Sequence, residues 1–351
     1  MPRFMKFLIP FVIFFSSFSL SDDTPISHAP IGIMGDHAHK KGETMFSLRI
    51  STMKMKGNLL NGSSIEDSEV LTLPNPNAGM LNAPSNLSIV PQEMDMKMIM
   101  LGGMFANKDR FTLMGMMMFK DLEMLSKTYQ GMLNRNLLGS FSLSSEALSQ
   151  VSLFGLINIK DNDSENSIFK IGFIQATGDN NKTGIVLTPM NSQIEMIMPY
   201  RMQGSDKSTK LSIGYTHKKY FSNNSLGFQI ESSFNLNEKN WAFGNKYETS
   251  IWFQKFLNNS LSWSLRYNFV KEESIRGNDS RITGPVQTAN PYNYGGSFSS
   301  IGIGFNTVFN LFESAHSDRL AIEILFPFNQ SKTGLQMDNK EKIILGYQKA
   351  F

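Results

Sequence analysis

The nonapeptide LSWSLRYNF, residues 261–269, alternates strictly between two kinds of side chain. Its odd-numbered residues are large and apolar, whereas its even-numbered residues are serine, arginine and asparagine. Such period-two alternation indicates a β-strand with one apolar face and one polar face. The segment IGIGFNTVF, residues 301–309, repeats the pattern, with glycines and an asparagine on its second face. These segments predict a sheet that separates an apolar environment from a polar one.

The same alternation recurs along the chain between stretches rich in Asn, Gly and Ser, so an all-β fold is predicted. The even number of strands, with lengths near those needed to cross a bilayer at a tilt, favours a transmembrane antiparallel up-and-down β-barrel of about 12 strands. In lipid the sheet must close, because no strand edge can stay unpaired there. The predicted strands are 44–56, 92–106, 110–124, 149–159, 167–176, 209–220, 224–235, 245–256, 260–272, 298–312, 318–328 and 340–351.

The connections between these strands alternate between long and short along the whole chain. Outer-membrane barrels show this asymmetry because tight turns face the periplasm and longer loops face outward. A soluble β-sandwich has no reason to show it. The last segment, KIILGYQKAF, ends on Phe351 and resembles the C-terminal strand that the barrel-assembly machinery recognises, with Lys349 as a departure from that pattern.

The N-terminus carries an export signal. Arg3 and Lys6 precede an apolar run from Phe7 to Phe15, and Ser19-Leu20-Ser21 forms a small-residue cleavage site. The apolar run is too short to span a membrane as a helix. We therefore predict three parts, namely a cleaved signal peptide (1–21), a periplasmic N-terminal segment that is a candidate plug (22–43) and a barrel in the outer membrane of a Gram-negative bacterium (44–351).

Composition excludes several classes of protein. The chain has no cysteine and a net charge of +3, so disulfides and thiolate chemistry are absent and a nucleic-acid surface is not expected. Five histidines are present, but none lies where a barrel hydrolase needs its catalytic histidine, and no nucleophile motif occurs. We therefore expect that the protein is not an enzyme, and we assign no catalytic residue.

Methionine is concentrated near the N-terminus, where 18 of the 23 methionines fall within the first 132 residues. In MDMKMIM, residues 94–100, methionine occupies every second position. Parity along the first three strands places ten methionines on the lumen side: Met53, Met55, Met94, Met96, Met98, Met100, Met104, Met114, Met116 and Met118. The polar part of the lumen is predicted to be lined by Arg49, Arg110, Lys120, Lys170 and Arg266.

Two interpretations of the methionines stay open. Thioethers adapt to irregular apolar interiors and to varied apolar ligands, which favours packing or a path for an apolar or aromatic solute. Thioethers also bind Cu(I) and Ag(I), so a ladder of methionines could pass a soft metal ion, with His37 and His39 as added ligands.

Two segments resemble a known family of proteins. The run PIGIMGDHAHKKGETMFSLRISTMKMKGN (30–58), followed by MDMKMIMLGGMFANKDRFTLMGMMMF (94–119), resembles the outer-membrane proteins grouped under the MetA pathway of phenol degradation. MPYRMQ (198–203) and the C-terminal strand fit more loosely. The resemblance implies an outer-membrane barrel that transports hydrophobic compounds, and it assigns no binding residue.

The sequence thus predicts an outer-membrane transporter or channel for a small solute, with lipid and the assembly machinery as its partners. The alternatives are a soft-metal barrel and a structural or adhesive barrel without transport.

Overall fold

The computed structural model of the chain describes residues 24–80, 83–131, 135–237, 240–311 and 317–351. The predicted signal peptide lies outside these residues.

Twelve long antiparallel strands form one sheet in this described part of the chain, and the twelfth pairs with the first, so the sheet closes into a barrel. Met45 lies opposite Ala350 at the closure. The predicted all-β, twelve-stranded barrel is confirmed. The strands are β1 (Thr44–Leu60), β2 (Ile89–Lys108), β3 (Phe111–Tyr129), β4 (Leu137–Asn162), β5 (Glu165–Ala176), β6 (Thr209–Tyr220), β7 (Asn224–Asn237), β8 (Lys246–Asn258), β9 (Leu261–Glu272), β10 (Gly296–Phe309), β11 (Asp318–Lys332) and β12 (Leu335–Ala350).

The outer face of the barrel is apolar. Leu153, Phe173 and Ile251 are 54%, 55% and 52% exposed, whereas their neighbours Ser152 and Gly172 face inward and are buried. This arrangement inverts that of a soluble protein, whose large apolar side chains are mostly buried. A closed sheet with an apolar exterior is the form that a lipid bilayer requires.

The two ends of the barrel differ. At one end, here called the turn end, residues 109–110, 163–164, 221–223 and 259–260 make tight turns. At the other, the loop end, the long segments 61–88, 177–208 and 273–295 connect the strands.

Two loop-end connections are shorter than the sequence suggested. The expected long loop 125–148 shrinks to residues 130–136, and 329–339 shrinks to a turn at 333–334. The strands continue because Leu122, Met124 and Ser126 keep facing inward while charged residues face outward. Charge on the outer face therefore marks the end of the lipid-contacting band and not the end of the strand.

The loop-end segments contain short elements of their own. These are a strand beside β1 (Ser63–Ile65), a helix (Asp67–Val70), a hairpin (Thr183–Leu187 with Gln193–Ile197), a strand pair (Trp241–Ala242 with Arg276–Gly277) and two 3-10 turns (Tyr200–Met202 and Gln287–Ala289). Among the described residues, no helix has the length and apolar character needed to cross a membrane.

Candidate functional site

The methionines of β2 point into the barrel. Met94 and Met96 are 2% and 9% exposed, whereas Asp95 between them and the following Lys97 lie on the outer face. β2 pairs with β1 so that Met94 lies opposite Met55 and Met96 lies opposite Met53. Neighbouring strands therefore place their thioethers side by side on the lumen wall.

The ten predicted methionines fall into two groups. Five of them pack in one apolar cluster in the loop half of the barrel, here called the upper cluster: Met53, Met55, Met94, Met96 and Met98. Three pack lower down against Met45, Phe154 and Leu156: Met104, Met114 and Met116. Met100 lines a cavity beside this lower group and lies opposite Met118 of β3. The structure thus does not form one continuous ladder of equivalent sites.

The upper cluster extends to the mouth of the barrel. Met124, Met198, Met202 and Met337 join it from β3, the long loop 177–208 and β12. A cavity lies within this region, and its walls are almost entirely apolar. Its lining includes Ile89, Met124, Phe141, Leu143, Val186 and Ile282.

Aromatic side chains close the cluster at the loop end. Tyr200 packs edge to face against Trp241 with ring centroids 4.9 Å apart, and against Tyr294 at 6.0 Å. Trp241 is 1% exposed and also contacts Phe243 at 5.3 Å. The hydroxyl of Tyr200 accepts a hydrogen bond from the backbone N–H of Asp279 at 3.0 Å, which joins the two long loops. We refer to Tyr200, Trp241, Phe243 and Tyr294 as the aromatic cap.

Substitution Trp241→Ala should loosen the aromatic cap. Removing a buried tryptophan side chain costs about 3 kcal/mol at the lower end of the usual range. That cost raises the open population of the loops by up to about 100-fold. Limited proteolysis of the barrel in detergent should then cut segments 177–208 and 273–295 faster than in the parent.

The matched control is Trp263→Ala. Trp263 lies on the outer face of β9 and packs edge to face against Phe253 at 5.7 Å, away from the cap. This variant should be cut at the parental rate. Equal acceleration in both variants would contradict a role for Trp241 in holding the loops.

The lumen wall also carries charged side chains, at the level of the lower methionines and above. The ammonium of Lys170 donates a hydrogen bond to the carboxylate of Glu231 at 2.7 Å. Nε and Nη2 of Arg266 donate to the two carboxylate oxygens of Glu323, at 2.8 and 3.0 Å. Lys120 also lies on the inner face, half-buried. Three of the five predicted polar lumen residues are thus buried on the inner wall: Arg49, Lys170 and Arg266.

Arg110 does not line the lumen. It lies in the turn between β2 and β3 and is exposed, because the strand begins one residue later at Phe111. The sequence prediction for this residue is wrong.

Residues 24–43 lie inside the barrel, in its turn half, and are here called the plug. Strands around the whole wall hold the plug through its backbone. The backbone oxygen of Ile33 accepts a hydrogen bond from the guanidinium of Arg49 at 2.9 Å. The backbone oxygens of Ser27 and Ala29 accept hydrogen bonds from Lys218 and Arg319, each at 2.6 Å. β1 and β11 lie on either side of β12, and β6 lies across the barrel from them. The plug therefore crosses the lumen from one wall to the other.

Two further contacts connect the plug to the charged wall. Gly32 donates its N–H to Glu323 at 3.0 Å, and His39 donates its N–H to the hydroxyl of Thr112 at 2.9 Å. Sequence reasoning missed these contacts, since they join residues up to 291 positions apart.

The structure separates the predicted histidines from the upper cluster. His37 lies next to His28, with ring centroids 4.4 Å apart, and His39 lies 5.0 Å from His37. No sequence pattern groups His28 with His37, because the two residues are nine positions apart. The fold of the plug brings them together.

Comparison with known proteins identifies a related fold. No family model matches the chain, and no curated protein matches it, so the resemblance to MetA-pathway proteins stays a prediction. An outer membrane channel from Pseudomonas putida F1 is similar in structure, with 10% identity, a TM-score of 0.54 and coverage of 90% of this chain and 98% of that one.

Two further structures are more distant. The toluene transporter TodX of P. putida has 10% identity and a TM-score of 0.41, covering 88% of this chain and 90% of that one. The transport unit of the autotransporter AIDA-I from Escherichia coli has 10% identity and a TM-score of 0.43, with the same two coverages. The likeness to the P. putida F1 channel shows that this chain has the fold of an outer-membrane β-barrel.

Proposed function

We propose that this barrel lies in the bacterial outer membrane and admits small apolar or aromatic solutes into its methionine-lined upper half. The observation that carries the proposal is the apolar cluster that extends from the aromatic cap to Met96 and Met98. The lumen of a water-filled porin is polar instead. A continuous apolar surface in the upper lumen favours solutes that leave water readily.

The chemistry of the lining fits this class of solute. Binding sites for small apolar ligands are concave, mostly hydrophobic and supplied with few polar groups. The cavity beside Phe141, Leu143 and Ile282 has this character. Methionine adds flexibility and a polarizable sulfur that contacts aromatic rings favourably, so one path can accept solutes of different shapes.

The path ends at the plug. Below the upper cluster a solute meets Arg49, Lys170 and Arg266 together with the plug backbone that binds this wall. An apolar solute makes no favourable interaction with these charged and polar groups. Onward passage of an apolar solute therefore requires the plug or the wall to move.

A soft-metal path for Cu(I) or Ag(I) is the second candidate. Its support is the register between β1, β2 and β3, which sets Met53 opposite Met96 and Met94 opposite both Met55 and Met124. Thioethers at such positions can share a soft ion. The same methionines are packed among Leu122, Tyr200 and other hydrocarbon side chains, which favours the apolar function.

Two quadruple variants separate these functions. Replacing Met94, Met96, Met98 and Met100 by leucine keeps the apolar character and removes sulfur, whereas replacing them by glutamine keeps the length and adds polar groups. For an apolar path, the leucine variant should take up small aromatics into proteoliposomes at a rate within about twofold of the parent. The glutamine variant should be slower by about tenfold or more, because each buried amide without a partner costs about 1–3 kcal/mol.

A titration of Cu(I) and Ag(I) under reducing conditions accompanies the uptake assay. Stoichiometric binding by the parent that disappears in the leucine variant, together with lost uptake of aromatics, would favour the soft-metal function instead. A parent barrel that takes up no solute and binds no ion would favour the structural or adhesive alternative.

A further inference from the structure

The plug contains a compact group of metal-binding side chains. His28, Asp36 and His37 each place a potential ligand atom within 4.8 Å of the others. Asp36 is 1% exposed, and the side chain of His37 is 13% exposed. The group is enclosed by the barrel wall and lies apart from the upper methionine cluster.

Several nitrogens in this group have no partner. Within the described residues, Nδ1 of His28 and Nε2 of His37 are buried and make no hydrogen bond, and the same holds for Nε2 of the adjacent His39. A buried polar atom without a partner costs about 1–3 kcal/mol. Such atoms clustered in one short segment call for a bound group that satisfies them.

Asp36 orients one of these imidazoles. Its Oδ1 lies 3.0 Å from Nδ1 of His37, and its Oδ2 accepts a hydrogen bond from the N–H of Ala29 at 2.7 Å. A proton on Nδ1 that is donated to the carboxylate leaves the lone pair on Nε2. This carboxylate–histidine pairing is the arrangement that supports metal-binding histidines.

Burial in the plug affects two of these histidines. Burial lowers the pKa of His28 well below its usual value, and the nearby His37 and Arg319 lower it further. Burial lowers the pKa of His37 as well, against the opposing effect of Asp36.

We propose that His28 and His37, with Asp36 beside them, bind one divalent transition-metal ion of the Zn²⁺ type. Two imidazole nitrogens, one of them oriented by a carboxylate, suit Zn²⁺, Co²⁺ or Ni²⁺ better than the soft Cu(I). The ion would connect residue 28 to residues 36–37 and fix the fold of the plug. The ammonium of Lys218, 3.5 Å from Asp36, opposes a second cation and limits the affinity.

The test uses the full barrel without a histidine tag, purified in detergent and stripped of metal with a chelator. Zn²⁺ binding is measured by calorimetry, and Co²⁺ binding by its visible absorption bands. The parent should bind one ion per chain. His28→Gln and His37→Gln should each weaken binding at least tenfold.

The control is His217→Gln. His217 lies on β6 next to Lys218, but it faces the opposite side of the strand and bonds the hydroxyl of Ser167 at 2.8 Å. This variant should bind Zn²⁺ like the parent. Heat-modifiable migration on gels checks that each variant still forms a barrel.

Two results would overturn the metal site. One is a parent barrel that shows neither Zn²⁺ binding nor Co²⁺ absorption bands, which needs no variant to interpret. The other is parental affinity in a folded His28→Gln or His37→Gln barrel. Neither result bears on uptake of apolar solutes, because the upper cluster and the plug histidines are separate.

Discussion

Deletion of residues 24–40 is expected to convert the closed barrel into an open pore that prefers anions. The plug crosses the turn half of the lumen, and its removal leaves water in contact with the charged wall. Arg49, Lys218 and Arg319 lose the backbone oxygens of the plug that they bind in the parent. Fixed positive charges around a narrow lumen attract anions and repel cations.

Single-channel recording in a planar bilayer measures this effect directly. The parent should conduct little, and the deletion variant should show steady openings with a reversal potential shifted toward that of chloride. The retained residues Gly42 and Glu43 still bond Ala106 of β2, so the start of β1 keeps its position.

The control for the deletion is a milder variant, Lys218→Ala with Arg319→Ala, which removes two plug anchors and leaves the plug in place. This variant should flicker between closed and open levels. A deletion variant that remains closed in a folded barrel would show that the aromatic cap, not the plug, sets the conductance.

Substitution Glu323→Ala should destabilise the barrel by about 3–5 kcal/mol, because it leaves the buried Arg266 guanidinium without its partner. Arg266 is 2% exposed, and Glu323 is fully buried. The same carboxylate accepts the N–H of Gly32, so the plug loses an anchor at the same time. The free energy of unfolding is measured by urea titration of the barrel in lipid vesicles.

Two control variants accompany the Glu323→Ala measurement. Glu93→Ala breaks the exposed pair with Lys56, whose charged atoms lie 2.6 Å apart, and should change stability little because water and salt screen that pair. The double variant Arg266→Met with Glu323→Leu removes both buried charges and should recover most of the loss. If Glu323→Ala were no worse than Glu93→Ala, the buried pair would not support the wall and the plug together.

The sequence predicts the barrel well because its signal is local. In a strand, inward and outward positions alternate, so one segment such as 261–269 is enough to assign both faces. The same rule places Met94 and Met96 on the inner face, where both are buried, even though Asp95 separates them and Lys97 follows. Strand ends are harder to predict, as the continuation of β3 to Tyr129 shows.

The interior of the barrel could not be predicted in the same way. The hydrogen bonds between the plug and the wall join distant residues such as Gly32 and Glu323, which only the closed sheet brings together. The aromatic cap depends on contacts between separate loops, such as Tyr200 with Asp279. Arg110 was misplaced for a related reason, since a turn residue does not continue the alternation of the strand that follows.

The proposed function rests on the apolar upper lumen, and one measurement tests it most directly. Crystals of the full barrel soaked with iodobenzene should show an anomalous iodine signal in the cavity lined by Phe141, Leu143 and Ile282. Iodine found there would place an aromatic solute on the predicted path. Iodine bound only against the lipid-facing exterior, with none inside the barrel, would contradict the account.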